Sequence, residues 1–322
     1  MPASPARSPL AGVRVVECSM LGPAAITTHL ADLGAEVIKV ESPAGDYIRR
    51  MTWPIVEGVS LMHLHINRGK KSISIDFRQE EGRELFRRLS EKADVVLENF
   101  TPGTMDRLGV GYETLKERNP GLIFCSISGF GQTGPYRDRP ALDIVVQGMG
   151  GVLSITGEKG GPPVRPGASY GDLTAGLYAT IGILSALHER DRSGLGQAID
   201  LSMLDCQVAV LENAYMRYSV TGKAPEPLGT RHPSATPFQA FPTSDGYLVV
   251  ALGFGEENHW SLFCGLLGLP ELMDDARFGT SPRRTANHAV LEPILIEAFR
   301  RRTTAEWIDD MLAVGIPCGP VN

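Results

Sequence analysis

Short β-branched runs and helix-length amphipathic segments take turns along the first half of this chain, and no other feature limits its fold as much. VRVVEC (13–18), EVIKVE (36–41), KSISIDF (71–77), DVVLENF (94–100) and GLIFCSISGF (121–130) have the length and composition of strands. Between them lie a helix-compatible stretch at 23–33 that Gly34 would end, the segment QEEGRELFRRLSEKA with Leu85, Phe86 and Leu89 on one helical face, and YETLKERNP. Strands joined through a helix run parallel, because the crossover carries the chain back to the end of the sheet where it began. The expected fold class is therefore α/β, a Rossmann-like parallel sheet covered on both faces. GQAIDLSM (196–203) adds a strand after a long apolar helix that follows Asp172.

The texture changes at TGKAPEPLGTRHPSATP (221–237), which is rich in Pro, Gly and polar residues. We read residues 1–220 as a large domain, 221–237 as a linker and 238–322 as a smaller α+β domain, as a length of 322 residues allows. The smaller domain opens on the strand GYLVVALG and continues in helical segments such as AVLEPILIEAFRRRT and TAEWIDDMLAVG. The chain stops at IPCGPVN, directly after a proline–glycine cluster, so it reads as a fragment of a longer protein. A formal charge of −6 argues against nucleic acid as the main partner, since phosphate binding needs a basic face. The longest apolar helix, 177–187, is shorter than the roughly 20 residues a bilayer requires. No apolar secretion signal follows MPASPARSPLAG. The five scattered cysteines form no CxxC pair and read as reduced thiols, which points to a cytoplasmic protein without a membrane partner.

A Rossmann-like sheet raises the question of a nucleotide cofactor. The first strand-to-helix turn, CSMLGPAA, lacks GxGxxG, and the chain has no GxxxxGK[ST] and no GxSxG. His63 and His65 are spaced as strand neighbours, but no acidic or thiolate ligand stands near them, so a metal site is not expected. Asp172, in PGASYGDLTAG, has two readings. An aspartate just before an apolar helical run is a common N-cap, worth about 0.5–2 kcal/mol over alanine. The same position at a helix N-terminus would keep a carboxylate ionised for nucleophilic attack. On that reading Gly171 and Gly176 clear space for a bulky acyl donor.

Six strings bear on the choice: LxGVRVVE…GP…LADLGAEVIKVESP, NRGKKSISIDF, VVLENFTPGTMDRLGVGYE, LIFCSISGFGQTGPYRDRPALDIVVQGMGG, GDLTAGLYATIGILSAL and GQAIDLSM. In this order, over nearly the whole chain, they resemble the class III CoA-transferase family, which includes formyl-CoA transferase and carnitine CoA-transferase and is related to 2-methylacyl-CoA racemase. The resemblance implies that Asp172 is the nucleophile, forming an aspartyl-acyl anhydride and then an aspartyl-CoA thioester. CoA would pass from an acyl-CoA to a carboxylic acid with no prosthetic group and no metal; the coenzyme A thioester is the substrate. It also implies that Ile75 and Arg78 meet the adenine and its phosphates, that Asn99, Phe100 and Arg107 contact CoA elsewhere, and that Asp143 stands near the thioester. Without it, Ile75 would be sheet core, Arg107 a solvated cation and Asn99 a strand-end turn residue. Pro140 stands where formyl-CoA transferase has a lysine, with Arg139 next door. The racemase branch has a His–Asp pair where this chain has Leu142–Asp143, and leucine cannot move a proton. A racemase, or an inactive CoA-binding protein, remains the alternative. Formyl-CoA transferase closes its site with four glycines, whereas this chain has GTRHPSATPFQAF; larger carboxylates than formate or oxalate are expected, with Arg231 and His232 as cations for the acceptor. The family forms interlocked homodimers whose C-terminal segment returns to the large domain, and this chain ends where that return would begin.

Overall fold

The computed structural model describes residues 8–20, 24–51, 54–252 and 257–322. Leu21, Gly22 and Pro23 of the expected first strand-to-helix turn, and Gly253 at the end of GYLVVALG, lie outside the described residues.

Six strands form the main sheet: β1 (Arg14–Cys18), β2 (Glu36–Glu41), β3 (Lys71–Ser74), β4 (Val95–Glu98), β5 (Ile123–Ser128) and β6 (Ala198–Ser202). Every pairing is parallel, and the order is β3-β2-β1-β4-β5-β6. This is the doubly wound order, in which the direction of winding reverses between β1 and β4 and leaves a crevice at the carboxyl ends of those strands. The register sets Val15 against Val37 and Val95, and Val16 against Ile38 and Val96. Side chains alternate along each strand, so odd positions such as Val15, Val95 and Leu97 pack on one face and even positions such as Val16 and Val96 on the other. Helices α1 (Ala24–Asp32) and α5 (Tyr170–Ser193) cover the first face through Ile26, Leu30, Ala179 and Ile183. Helices α2 (Glu80–Ser90) and α3 (Tyr112–Arg118) cover the second through Phe86 and Leu115. Helices α4 (Asp143–Met149), α6 (Met203–Ala209) and α7 (Asn213–Thr221) also belong to this part of the chain, with several helices of four to six residues between the larger elements.

Two local expectations need correction. Leu85 does not join Phe86 and Leu89 against the sheet; it is 42% exposed while Phe86 is fully buried. At about 100° per residue, Phe86 and Ser90 define the inward stripe, and position 85 turns out to its rim. His63 and His65 lie on a short helix, Leu61–Ile66, not on a strand, and His63 is buried while His65 is exposed. Among the described residues no group of three or more His, Cys, Asp or Glu side chains is placed to hold a metal. No described helix is long and apolar enough to cross a membrane.

The chain divides into two compact units, Met1–Ile155 with Pro163–Pro225, and Thr156–Pro162 with Glu226–Asn322. The second holds an antiparallel sheet of β7 (Phe238–Pro242), β8 (Tyr247–Ala251) and β9 (Cys318–Pro320), in the order β9-β8-β7, with helices α8 (Glu257–Leu267), α9 (His288–Phe299) and α10 (Thr304–Ala313). Its core is aromatic: Phe241 stacks on Phe299 at 4.7 Å, and Trp307 meets Phe299 edge-on.

Beneath the carboxyl ends of β1 and β2 lies a buried ion cluster. The Lys39 ammonium is 3.0 Å from Glu17, 3.1 Å from Asp46 and 2.6 Å from the Ser19 carbonyl oxygen it donates to. Lys70 reaches the other Glu17 oxygen at 2.8 Å. Burial works against the Lys39 charge, but Glu17 and Asp46 together outweigh it and hold its pKa above the ordinary value. Burial dominates at Lys70 and brings it down to about 8. Removing one member of such a cluster strands its partners. We therefore expect Lys39→Ala to cost about 3 kcal/mol in urea unfolding of the purified protein; a loss under about 1 kcal/mol would show that the cluster is not held by this cation.

Candidate active site

Helix α5 begins where the chain leaves an extended loop at Ser169, whose side chain makes no cap hydrogen bond. Asp172 is the third residue of the helix, inside its first turn, and so is not the cap. The carboxylate that serves the free amides comes from elsewhere. Asp143, first residue of α4, accepts the Gly171 N–H through Oδ1 at 2.8 Å and, more weakly, the Asp172 N–H at 3.4 Å. Its Oδ2 accepts from Gln147 Nε2 at 2.7 Å and from Arg165 Nη2 at 3.2 Å. Arg165 Nη2 also donates to Ser169 Oγ at 3.1 Å.

This contact explains Gly171. A Cβ there would fall 2.7 Å from Val146 Cγ2 and 2.9 Å from Asp143 Oδ1, so a side chain would push α4 away. A Cβ on Gly176 would come within 3.1 Å of Ile26 on α1. Both glycines therefore serve helix packing, and the expectation that they open space for substrate is corrected. The first turn of α5 is also held from α6: buried Gln207 donates to the Tyr170 carbonyl at 3.1 Å and to Thr174 Oγ1 at 2.6 Å.

Asp172 is half-buried, and its pKa is pushed up to about 6. Burial is the larger cause, the charge of Asp143 adds to it, and Arg165 opposes both. The sequence suggested a carboxylate kept ionised by the helix N-terminus; Asp143 has taken those amides, and the shift runs the other way. The Tyr47 phenol is also pushed up, by burial and then by the charges of Asp46 and Asp172.

A cleft of about 510 Å³ opens at the carboxyl ends of β1, β2 and β3, with Phe100 and Leu108 on its β4 side, within the usual size range of small-molecule sites. Its walls include Ser19, Met20, Ser42 to Asp46, and Ile75 to Arg78. Of the residues singled out for CoA, Ile75, Arg78 and Phe100 line the cleft together. Arg78 extends from its rim, 81% exposed, paired with Asp76 at 2.8 Å. Asn99 and Arg107 are not among the lining residues. Asn99 pins the loop after β1, accepting the Met20 N–H at 3.0 Å and donating to the Met20 carbonyl at 2.9 Å. Arg107 is exposed at the end of the one-turn helix Thr104–Arg107 and donates to Thr104 Oγ1 at 2.8 Å. Asp143 joins Asp172. Leu142 is the exposed N-cap of α4. The Arg139 guanidinium lies over the Tyr136 ring, 3.9 Å from its centroid. Arg231 and His232 belong to the second unit. There His232 Nδ1 accepts the Ser234 and Ala235 N–H groups at 3.2 and 3.1 Å, which occupies the ring in its own loop.

Arg165, Gln147, Tyr47 and Glu98 were not singled out from the sequence. Glu98 is buried at the end of β4, accepts the Phe100 N–H at 2.8 Å, and is raised to about 7 mainly by burial. Nothing in periodicity flags them.

The sequence model of CoA-transferase family III matches residues 10–322. The chain is 41% identical over 317 residues to succinyl-CoA:glutarate CoA-transferase of Mus musculus, covering 98% of this chain and 72% of that protein. It is 42% identical over 323 residues to acetyl-CoA:oxalate CoA-transferase of Acetobacter aceti, covering 99% and 82% respectively. The crystal structure of a CAIB/BAIF family protein from Brucella suis superposes with a TM-score of 0.88 at 44% identity, over 98% of this chain and 85% of that one.

The raised pKa of Asp172 sets a stability test. A folded-state value near 6, above the unfolded value of about 3.9, means that the protonated group's contribution is complete below pH 4 and is lost as pH rises through 6. Asp172→Asn does not titrate. We expect the variant to be more stable than the parent by about 1–3 kcal/mol at pH 8 and to lose that advantage near pH 4, in urea melts across the range. A variant equally stable at pH 8 would mean that the carboxylate is not destabilised where it sits.

Proposed function

The chain belongs to CoA-transferase family III, and from that premise we propose that Asp172 is its nucleophile and carries acyl groups and CoA in turn. Asp172 attacks the thioester carbonyl of a donor acyl-CoA; the C–S bond breaks, giving an aspartyl-acyl anhydride and CoA thiolate. The thiolate attacks the aspartyl carbonyl, releasing the donor acid and leaving an aspartyl-CoA thioester. The acceptor carboxylate attacks that thioester, forming a second anhydride and freeing the thiolate. The thiolate then takes the new acyl group and regenerates the Asp172 carboxylate. No proton is gained or lost over the cycle, and each step exchanges one activated acyl group for another, so neither ATP nor a metal is called for.

The observation that carries this reading is the pair of carboxylates at the start of α5. Asp143 is held by four donors, and Asp172 bears the repulsion and the burial. With a pKa near 6, Asp172 is largely ionised at pH 7 yet more basic than a solvated aspartate, and acylation relieves its repulsion from Asp143. The cleft at the strand ends would take the CoA nucleotide, with Ile75 and Phe100 as apolar surface and Arg78 as the rim cation for phosphate; Asn99 would act through the loop it pins. Arg107, exposed near the same strand ends, would meet phosphate from outside the cleft.

For substrates, small acids such as succinate, glutarate and oxalate are the first to test, because relatives named for glutarate and for oxalate are almost equally similar. The working form would be a cytoplasmic homodimer: Leu173, Leu177 and Ile181 form an exposed apolar stripe along α5, and Tyr215, Met216 and Val220 on α7 are likewise uncovered.

Two measurements test the proposal. Mixed with succinyl-CoA, the protein should gain an adduct of acyl or CoA mass, removable by hydroxylamine and absent from Asp172→Ala. An adduct that persists in Asp172→Ala would place the chemistry on another residue. The kcat/KM profile should fall with unit slope below pH about 6, as Asp172, with Asp143 and Arg165 as its charged neighbours, takes up a proton. A flat profile from pH 5 to 8 would contradict the assignment.

A further inference from the structure

We propose that Arg165 receives the reacting carboxylate of the acceptor acid and brings it to the aspartyl-CoA thioester. The inference rests on the covalent reading above and adds a group to it. Arg165 is tied to the site on one side only. Among the described residues, Nη2 alone makes hydrogen bonds, to Asp143 at 3.2 Å and Ser169 at 3.1 Å, and the side chain is 41% exposed. A guanidinium has five N–H donors in a planar fork that matches a carboxylate, so Nε and Nη1 keep an open face.

Arg165 is not needed to hold Asp143. Gln147 already reaches Oδ2 at 2.7 Å and the Gly171 N–H reaches Oδ1 at 2.8 Å, both shorter than the arginine contact. The cation is therefore oriented by Asp143 more than it orients Asp143. Its position also answers an electrostatic need. An acceptor is an anion and must approach a carbonyl beside the fixed negative charge of Asp143; a cation between them offsets that repulsion. Arg165 is the group that does so from Asp143 itself, and its charge is felt at Asp172.

The test separates a charged acceptor from a neutral one. Wild type, Arg165→Gln and Arg165→Lys are loaded with succinyl-CoA, desalted, and the adduct is discharged either by succinate or by neutral hydroxylamine, followed by intact mass. We expect Arg165→Gln to react normally with hydroxylamine, but to discharge to succinate about 10- to 100-fold more slowly. Loading releases succinate by the reverse of that same step, so it should slow as well and is allowed to run to completion. Arg165→Lys should recover part of these losses, since it keeps the charge and not the fork. The normal hydroxylamine reaction is also the control for an intact fold. Equal slowing with hydroxylamine and with succinate would mean that Arg165 only props the site, and would overturn the proposal. So would undiminished discharge to succinate in Arg165→Gln. A wild type that forms no adduct would instead overturn the covalent reading, and this assignment with it.

Discussion

The Asp143 carboxylate at the start of α5 decides what Asp172 can be. A helix N-terminus offers unsatisfied N–H groups and partial positive charge, and whichever carboxylate takes them is stabilised as an anion. Asp143 takes the Gly171 amide at 2.8 Å and shares the Asp172 amide at 3.4 Å. Asp172, on the same turn, is left with burial and a neighbouring negative charge. The surrounding design follows from keeping Asp143 there. Position 171 has to lack a side chain so that α4 can approach, Gln147 fixes the outer oxygen one turn further along α4, and Gln207 holds the first turn of α5 from a third helix.

The sheet supplies the place for this turn. In a doubly wound sheet the loops after β1 and β4 diverge, and the crevice between them is a consequence of topology and independent of any particular loop sequence. What the loops add here is stiffness. Asn99 binds both backbone groups of Met20 across that crevice, and buried Lys39 ties Glu17 of β1 to Asp46 in the loop after β2. The cleft wall is therefore anchored through charges beneath it. A site that must hold a long, flexible cofactor against one carboxylate gains from walls whose positions are fixed before binding.

Legibility of these features in the sequence followed the range of the interactions. Glu36–Glu41 reads as a strand with its observed ends because a short β-branched run, Val37, Ile38 and Val40, fills it, and the parallel sheet follows from helix-length spacings between such runs. Asp172 could be found because a short polar turn precedes a long apolar helix. Its N-cap reading failed because the helix starts three residues earlier than the pattern suggests, and boundaries are set by where backbone hydrogen bonding begins. The direction of its pKa shift was out of reach for a different cause. It depends on burial and on Asp143, 29 positions away, which the chain brings alongside only through the packing of α4 on α5. Arg165 looks in sequence like any exposed loop cation, and Leu85 looks like core; in both cases a tertiary neighbour, or its lack, decides the role.

On the proposed mechanism, the charges around Asp172 also imply an order of events. In the resting site two carboxylates face one guanidinium, so an incoming acid meets a net negative charge. The thioester carbonyl of the donor is neutral and suffers no such repulsion, and its reaction with Asp172 removes one of the negative charges. Once Asp172 is acylated or joined to CoA, Asp143 and Arg165 balance, and the acceptor anion can approach a neutral surround at less cost. The electrostatics thus favour donor before acceptor without any moving part. The fixed carboxylate of Asp143 thus adds to the effect of burial in raising the pKa of Asp172, and the same charge discriminates against premature entry of acid.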